Sequence, residues 1–321
     1  MDLTCYFRGM LENWLIIAFV APALWSLVNL IDVYFVNDVY RDEYDGTIIS
    51  GLFPLLPWIL VPLGVISFVF PENQWLVFLL SGILFLFANF FYFKSLFSHN
   101  DAALVQIFWN LTVPFTIIIS WLLLKESLEL RQYVGIGMVF AGVIHLSLQE
   151  KQGEWRVKEV LKNMIPAAIF LALSLVFSEH AYRESSAGFI DGYLVFSLGM
   201  VIGALVVSLI GKAGFRDRFA QVTKLTGKYF IIFFFAELLA LIGTVASQRA
   251  VDLSPSASFV ATIESLSPVF VMIFSFLIVL FGKEIIRKFS THESLYGNQF
   301  SNLKQKILVT VTVALGIFLM S

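Results

Sequence analysis

The sequence predicts an all-α polytopic membrane protein in which ten transmembrane helices form two inverted five-helix repeats. Three observations lead to this prediction. The 321 residues are 59% hydrophobic and only 14% charged, with 34 Phe and a mean hydropathy of +0.85, which is too apolar for a soluble globular chain. Apolar windows long enough to cross a bilayer recur along the whole chain. A proline-containing pattern also occurs twice, at matching places in the two halves.

The apolar windows define the individual helices. A hydrocarbon core of about 30 Å requires about 20 mostly apolar residues for each crossing. The predicted spans are Trp14 to Val36, Thr47 to Val69, Trp75 to Phe97, Ala103 to Leu123, Gln132 to Leu148, Asn163 to Arg183, Ile190 to Ile210, Lys228 to Ala250, Ala257 to Phe281 and Gln305 to Met320. Most loops between them are short, so the sequence indicates no attached soluble domain and locates function within the membrane.

Three loops are longer than the others: Glu150 to Lys162, Gly211 to Gly227 and Gly282 to Lys304. The last contains IIRKFSTHESLYGNQF, which we interpret as a solvated loop, with a short amphipathic segment at the membrane interface as the alternative.

The fourth and ninth spans share a proline pattern. In AALVQIFWNLTVPFTIIISW, Asn110 lies four residues before Pro114, and in SASFVATIESLSPVFVMIFSF, Glu264 lies four residues before Pro268. Proline has no N–H to donate to the carbonyl four residues earlier, so a free backbone acceptor accompanies each polar side chain inside the membrane. The pattern predicts a helix break at both prolines and makes the two polar residues candidate halves of one central site.

Further matches between the halves support a repeat. ALWSLVNLIDVYFV in the first span resembles LALSLVFSEHAYRE in the sixth, and FKSLFSHNDAALV parallels SQRAVDLSPSASFV. Because five spans is an odd number, the second copy enters the membrane from the opposite side, which puts a shared site near the bilayer centre. The predicted organisation is a tail at 1–13, repeats at 14–149 and 163–321, and a connecting loop at 150–162. The alternative is that short hydrophobic windows look alike by composition.

Composition excludes several function classes. A net charge of -2 argues against nucleic acid as a partner. Cys5 is the only cysteine, which excludes an internal disulfide framework and a cysteine metal cluster. No HExxH, phosphate-binding glycine loop or GxSxG motif occurs, so we predict no catalytic residues, no metal and no cofactor. The expected partners are a small-molecule substrate and the lipid bilayer; the oligomeric state stays open, a homodimer included.

The N-terminus and the charge distribution bear on topology. MDLTCYFRGMLENW lacks a basic region before an apolar core with a cleavage site, so no removable signal peptide is indicated. Of the 21 Lys and Arg residues, only Arg8, Lys125, Arg131, Arg183 and Arg249 fall on the side of the termini. The positive-inside rule therefore predicts that both termini lie outside the cytoplasm.

Two acids lie deepest in the predicted spans, Glu237 in the eighth and Glu264 in the ninth. An ionisable residue at mid-bilayer costs about 2.5 to 3.5 kcal/mol on insertion scales, so each acid must face a cavity, find a partner or lose its charge. A carboxyl group that is charged in one state and neutral in another couples transport to protons, so both are proton-coupling candidates. The alternative for each is a protonated acid with a structural hydrogen bond.

Neutral polar and aromatic residues complete the candidate substrate site. They are Trp25, Asn29, Asn89, Gln106, Trp109 and Asn110. Gln106 and Asn110 lie on one helical face and offer amide donors and acceptors beside an aromatic wall; the alternative is that they bridge helices, worth about 0.6 kcal/mol each. Asp32 shares the stripe of Asn29 but lies nearer the end of its span, where we expect water to reach it.

Other residues fit structural roles. Glu179 and Arg183 are spaced to pair across one helical turn at the end of the sixth span, so we expect an interfacial ion pair or gate, with His180 beside it. Two sets of glycines are typical of faces at which helices approach closely: Gly135, Gly137 and Gly142 in the fifth span, and Gly199 and Gly203 in the seventh.

The combined pattern resembles a known family. The residues that carry the resemblance are ALWSLVNLIDVY with Trp25 and Asn29, the paired proline helices, and WLLLKESLELRQYVGIGMVFAGVIHL, an acidic turn before a glycine-rich span. SPSASFVATIESLSPVF is the best match in the second half. Together they resemble the drug/metabolite transporter superfamily, specifically tandem EamA-type domains.

The resemblance implies a ten-helix carrier with a central cavity, which moves small metabolites by alternating access, with both termini cytoplasmic. This orientation disagrees with the charge distribution. The second half also departs from the family pattern after the ninth span, where GKEIIRKFSTHESLYGNQFSNLKQK replaces the usual short acidic turn.

We therefore expect a secondary active transporter in the plasma (inner) membrane that moves a small polar or amphipathic metabolite, with proton coupling as an option. The alternative is a flippase or scramblase for lipids or lipid-linked intermediates, because abundant Phe suits a lateral groove. An intramembrane enzyme ranks third, since no nucleophile and base are found together.

Overall fold

A computed structural model describes residues 13–99, 102–125, 129–148, 157–210, 229–281 and 303–320, with a few isolated positions between 211 and 228. The sequence IIRKFSTHESLYGNQF, which we interpret as a solvated loop with an interfacial amphipathic segment as the alternative, lies outside these residues. Every regular element among the described residues is a helix, as the sequence predicts.

The helices of the first half are α1 (Trp14–Asp38), α2 (Glu43–Leu52), α3 (Leu56–Ile59), α4 (Trp75–His99), α5 (Ala102–Trp109), α6 (Thr112–Leu124) and α7 (Leu130–Leu148). Those of the second half are α8 (Val157–Glu184), α9 (Phe189–Ile210), α10 (Phe230–Leu253), α11 (Ala257–Glu264), α12 (Ser267–Phe281) and α13 (Leu303–Met320).

Seven segments of the described residues are long and apolar enough to cross a membrane. They are Trp14–Asp38, Trp75–Ser98, Leu104–Leu124, Val160–Glu184, Phe189–Ile210, Phe230–Leu253 and Ala257–Leu277. The prediction of a multi-pass membrane protein is therefore confirmed. The fifth and tenth predicted spans coincide with α7 and α13, the latter containing a shorter apolar stretch, Ile307–Gly316. A total of ten crossings stays a prediction.

The second predicted span is not one helix, so the expectation of a continuous helix from Thr47 to Val69 is wrong. Helix α2 ends at Leu52, a 3-10 turn containing Pro54 follows, and the short α3 contains Pro57. Each proline removes a backbone donor. Beyond α3 the chain turns at Gly64, whose φ of 70° lies in the left-handed region that glycine tolerates.

Helices of the two halves pack on each other reciprocally. Helix α1 packs against α10 and α12, while α8, its counterpart in the second half, packs against α4 and α6.

The glycines at the contact of α4 with α9 explain its closeness, because a Cβ on Gly199 would lie 2.1 Å from the Leu79 carbonyl oxygen. The prediction of a close helix approach is confirmed for the glycines of the seventh span and is wrong for Gly137 of the fifth, where an added Cβ would meet nothing within 4 Å. In the contact of α4 with α8, Ser81 Oγ lies 2.6 Å from Ser178 Oγ, a polar contact suited to helix association in lipid.

The outer surface is apolar where lipid would lie. Ile231 is 82% exposed and Leu209 is 80% exposed, both on segments that qualify as membrane spans. Large apolar side chains facing outward are unfavourable in water and favourable in a bilayer. Many polar side chains of the membrane-spanning helices are instead buried between helices, and several of them surround the cavity described next.

Candidate functional site

A cavity lies between the two halves of the chain. Its walls come from α1, α2, α4 and α5 on one side and from α9 and α10 on the other, and it contains about 740 Å³ of space not filled by protein atoms, its open side included. Six of the side chains that the sequence selects as candidates line it: Trp25, Asn29, Asn89, Gln106, Trp109 and Glu237.

Asn29 and Asp32 on α1 share one hydroxyl group. The Tyr92 hydroxyl on α4 donates to Asn29 Oδ1 at 2.9 Å and lies 3.2 Å from Asp32 Oδ2. Asp32 is only 7% exposed and lines the cavity, so the expectation that it lies in water near a helix end is wrong. Tyr92 was missed by the sequence analysis, although it lies on the same face of its helix as Asn89 at the i, i+3 spacing.

Glu237 on α10 faces the same cavity from the other half. Ser50 Oγ on α2 donates to Glu237 Oε1 at 2.9 Å, and Glu237 is 7% exposed. Asp32 and Glu237 thus line one cavity from opposite halves of the chain. Ser50 was also missed, because a serine inside an apolar window gives no signal of its own.

Aromatic rings form much of the remaining wall. Trp25 Nε1 donates to the Ala240 carbonyl oxygen at 3.4 Å, and its ring centroid lies 6.2 Å from that of Phe85. Gly243 makes room for this indole, since an added Cβ would lie 2.7 Å from Trp25 Nε1. The helix α10 thus fixes the orientation of Trp25 from the opposite half of the chain.

The first proline pattern produces the expected break. Helix α5 ends at Trp109 and α6 begins at Thr112, with Asn110 and Leu111 in a turn between them. Pro114 has no N–H to donate to the Asn110 carbonyl, which accepts instead from the Val113 N–H at 3.2 Å. The chain continues as a helix after this turn because a shorter-range hydrogen bond replaces the missing one.

The second pattern breaks its helix at the corresponding place. Helix α11 ends at Glu264 and α12 begins at Ser267. The Glu264 carbonyl, left free by Pro268, accepts from Ser267 Oγ at 2.8 Å. Both predicted helix breaks are therefore present, each satisfied by a different substitute donor.

Asn110 and Glu264 line a second, smaller cavity next to the first. It contains about 180 Å³ of space not filled by protein atoms, its open side included, and Trp109 borders both cavities. Asn110 is 2% exposed and Glu264 is 4% exposed. Asn110 Oδ1 and Glu264 Oε1 have no hydrogen-bond partner among the described residues. The Ser247 hydroxyl lies near the Glu264 carboxyl group without the geometry of a hydrogen bond.

The far ends of α8 and α10 are tied together away from both cavities. Glu179 and Arg183 form the expected ion pair, with Oε1 and Nη2 2.5 Å apart. Glu179 Oε2 also accepts from the Ala257 N–H at 2.9 Å, and Arg183 donates to the Pro255 carbonyl. His180 is exposed on the outer surface. These bonds join the end of α8 to the turn between α10 and α11.

The sequence and the fold were compared with known proteins. Residues 13–148 match the sequence profile of the EamA-like transporter family. This part of the chain is therefore similar to EamA-like transporters, and the resemblance seen in the sequence is confirmed over it; a second domain in tandem stays a prediction. Comparison with curated proteins gave no match.

One solved structure, described only as the crystal structure of a protein, is similar over nearly the whole chain. It covers 96% of this chain and 99% of its own, with a TM-score of 0.55 and 16% sequence identity. At this identity the likeness concerns the fold alone. It extends well beyond the EamA-like segment and includes the second half.

Proposed function

We propose that this EamA-like chain is a secondary active transporter, which moves a small polar or amphipathic metabolite across the plasma (inner) membrane by alternating access coupled to protons. The observation that carries the proposal is the cavity between the halves, where Asn29 of the first half and Glu237 of the second half face a wall of aromatic side chains from the first half. A largely apolar cavity with a few convergent polar groups is the usual form of a small-molecule site.

The reciprocal packing of the helices supports ten crossings in two inverted repeats. Helix α1 of the first half packs against α10 and α12 of the second, and α8 of the second half packs against α4 and α6 of the first. The two helix breaks also fall at matching positions of the halves. In transporters built this way, broken helices lie near the membrane centre and the two repeats exchange conformations around a fixed site.

The two ends of the helix bundle differ, as alternating access requires. The cavity is lined by the C-terminal half of α1 and the N-terminal half of α10, which contribute Asp32 and Glu237. The opposite ends of α8 and α10 are joined through Glu179 and Arg183. We propose that these bonds close that end while the cavity is accessible from the other, and that they break when the transporter reverses.

Glu264 is the proposed coupling acid. It lies at a helix break, it is buried, and its Oε1 has no hydrogen-bond partner among the described residues. A charged carboxylate in such surroundings is unfavourable, so the acid holds a proton while the small cavity is closed and releases it when water enters. Because Trp109 borders both cavities, a substrate in the larger one contacts the wall of the acid site.

Flux into proteoliposomes tests the proposal. Purified protein is reconstituted, a pH gradient is imposed, and uptake of a panel of labelled soluble metabolites is compared with transfer of fluorescent lipid analogues. We expect gradient-driven accumulation of at least one soluble metabolite above protein-free liposomes. Lipid transfer without metabolite flux would favour the flippase alternative and contradict the proposal.

A further inference from the structure

The large cavity carries two acids and no basic side chain from the part of the chain that the structure describes. Asp32 and Glu237 face it from opposite halves. Arg41, the basic residue closest to Asp32 in the sequence, is paired elsewhere: its Nε and Nη2 atoms lie 3.0 and 3.1 Å from the two carboxylate oxygens of Asp45. An acid buried without a countercharge is unfavourable unless a proton or a bound cation neutralises it.

The hydrogen bonds of the two acids leave room for a further donor. Among the described residues, each carboxyl group has a single hydroxyl neighbour at 2.9 to 3.2 Å, Ser50 for Glu237 and Tyr92 for Asp32. The Tyr92 hydroxyl is shared with Asn29, so its one hydrogen cannot serve both. An ionised carboxylate has about four lone-pair sites, most of which are left for a ligand.

Asn29 contributes a hydrogen-bond donor that a ligand could use. It is 6% exposed and lines the cavity, and its Nδ2 has no hydrogen-bond partner among the described residues, while its Oδ1 is taken by Tyr92. A buried amide donor without a partner is costly. The site therefore offers one donor to a ligand that also carries an acceptor atom.

The aromatic walls suit a positive charge with an apolar body. Trp25 and Trp109 line the cavity together with Phe85 and Tyr92. The centroids of Tyr92 and Trp109 are 5.8 Å apart in an edge-to-face arrangement. Ring faces attract cations, and tryptophan does so most strongly.

We propose that the substrate of the transporter is an amphipathic organic cation, bound with its amine between Asp32 and Glu237, its apolar body against the tryptophans and an acceptor oxygen at Asn29 Nδ2. This assignment rests on the proposed function and names its substrate class. An anionic metabolite is disfavoured because two acids and no basic group among the described lining residues would meet it.

Three matched probes test the assignment. The cation 2-amino-1-phenylethanol, the uncharged 1-phenyl-1,2-ethanediol and the anion mandelate share a phenyl ring and a hydroxyl group and differ at the position of the amine. Dissociation constants for purified full-length protein are measured by thermal stabilisation and tryptophan fluorescence. We expect the cation to bind at least about tenfold more tightly than the other two, since charge-assisted bonds are about twice as strong as neutral ones.

Two variants test whether the preference for the cation arises in the cavity. Asp32→Asn should reduce the preference for the cation, whereas Asp38→Asn removes an acid from an exposed position of the same helix and should preserve it. The wild-type comparison does not depend on either variant folding. If the amine binds no more tightly than the diol or mandelate, the cation assignment is overturned. The metabolite panel tests the proposed function separately. Flux of an uncharged or anionic metabolite would support the transporter function and contradict only the assigned substrate class.

Discussion

The Asp32 carboxyl group on α1 and the Glu237 carboxyl group on α10 face one cavity from the two halves of the chain, and neither is paired with a basic side chain among the described residues. Hydroxyl groups from two further helices hold them, Tyr92 on α4 and Ser50 on α2. A movement of one half against the other therefore changes the distance between the acids. This relationship links the site to the alternating access that we propose.

Removing the Tyr92 hydroxyl should weaken the site without unfolding the protein. In Tyr92→Phe, Asn29 loses its donor and Asp32 loses its hydroxyl neighbour, so we expect KM for the transported substrate to rise several-fold and the free energy of unfolding to fall by about 1 kcal/mol. Uptake kinetics and denaturation in detergent measure both. Tyr133→Phe, at a residue 54% exposed on α7, is the control. An unchanged KM in Tyr92→Phe would show that this hydroxyl does not organise the site.

Filling the space beside Trp25 should displace the indole. The Cβ of Gly243→Ala would lie 2.7 Å from Trp25 Nε1, and we expect overpacking to lower the free energy of unfolding by about 1 to 3 kcal/mol and to weaken substrate binding. The control is Gly137→Ala, where an added Cβ meets nothing within 4 Å and higher helix propensity stabilises by up to about 1 kcal/mol. Equal substrate affinity in the two variants would contradict the role of Trp25 as a wall.

Much of the fold follows from sequence because its signals are strong. Apolar length identifies the seven confirmed spans, and Pro114 and Pro268 mark the helix breaks because a missing N–H has the same consequence in any surroundings. The break in the second span was not predicted. Pro54 and Pro57 lie within an apolar window long enough for a membrane span, and their combined effect depends on where the chain can turn.

The candidate site is less visible in the sequence. Rare polar residues such as Gln106 and Glu237 stand out in apolar helices and do line the cavity. Ser50 and Tyr92 are ordinary residues whose contribution comes from hydrogen bonds between helices distant in sequence. The depth of Asp32 likewise depends on the packing of α1, which the distance from a predicted helix end does not reveal.

Breaking the bonds at the closed end should expose it. Glu179→Ala removes both the ion pair with Arg183 and the acceptor of the Ala257 N–H, and we expect the free energy of unfolding to fall by about 1 to 3 kcal/mol. In a Cys5→Ser background, a cysteine at Ala257, which is fully buried, should react faster with a maleimide when Glu179 is replaced. Glu184→Ala, at an exposed residue of the same helix, is the control. Identical labelling rates would rule out a closing role for Glu179.

The central claim is that Glu264 couples transport to protons, and gradient-driven uptake by Glu264→Gln tests it most directly. Glutamine keeps the size and hydrogen-bonding capacity of the protonated acid but cannot release a proton. Wild type, Glu264→Gln and the exposed control Glu184→Gln are reconstituted at equal amounts of folded protein, and uptake of the transported metabolite is measured with an imposed pH gradient and as exchange without one. The account predicts that Glu264→Gln loses the response to the gradient while it retains exchange. Undiminished pH-driven uptake by Glu264→Gln would contradict it.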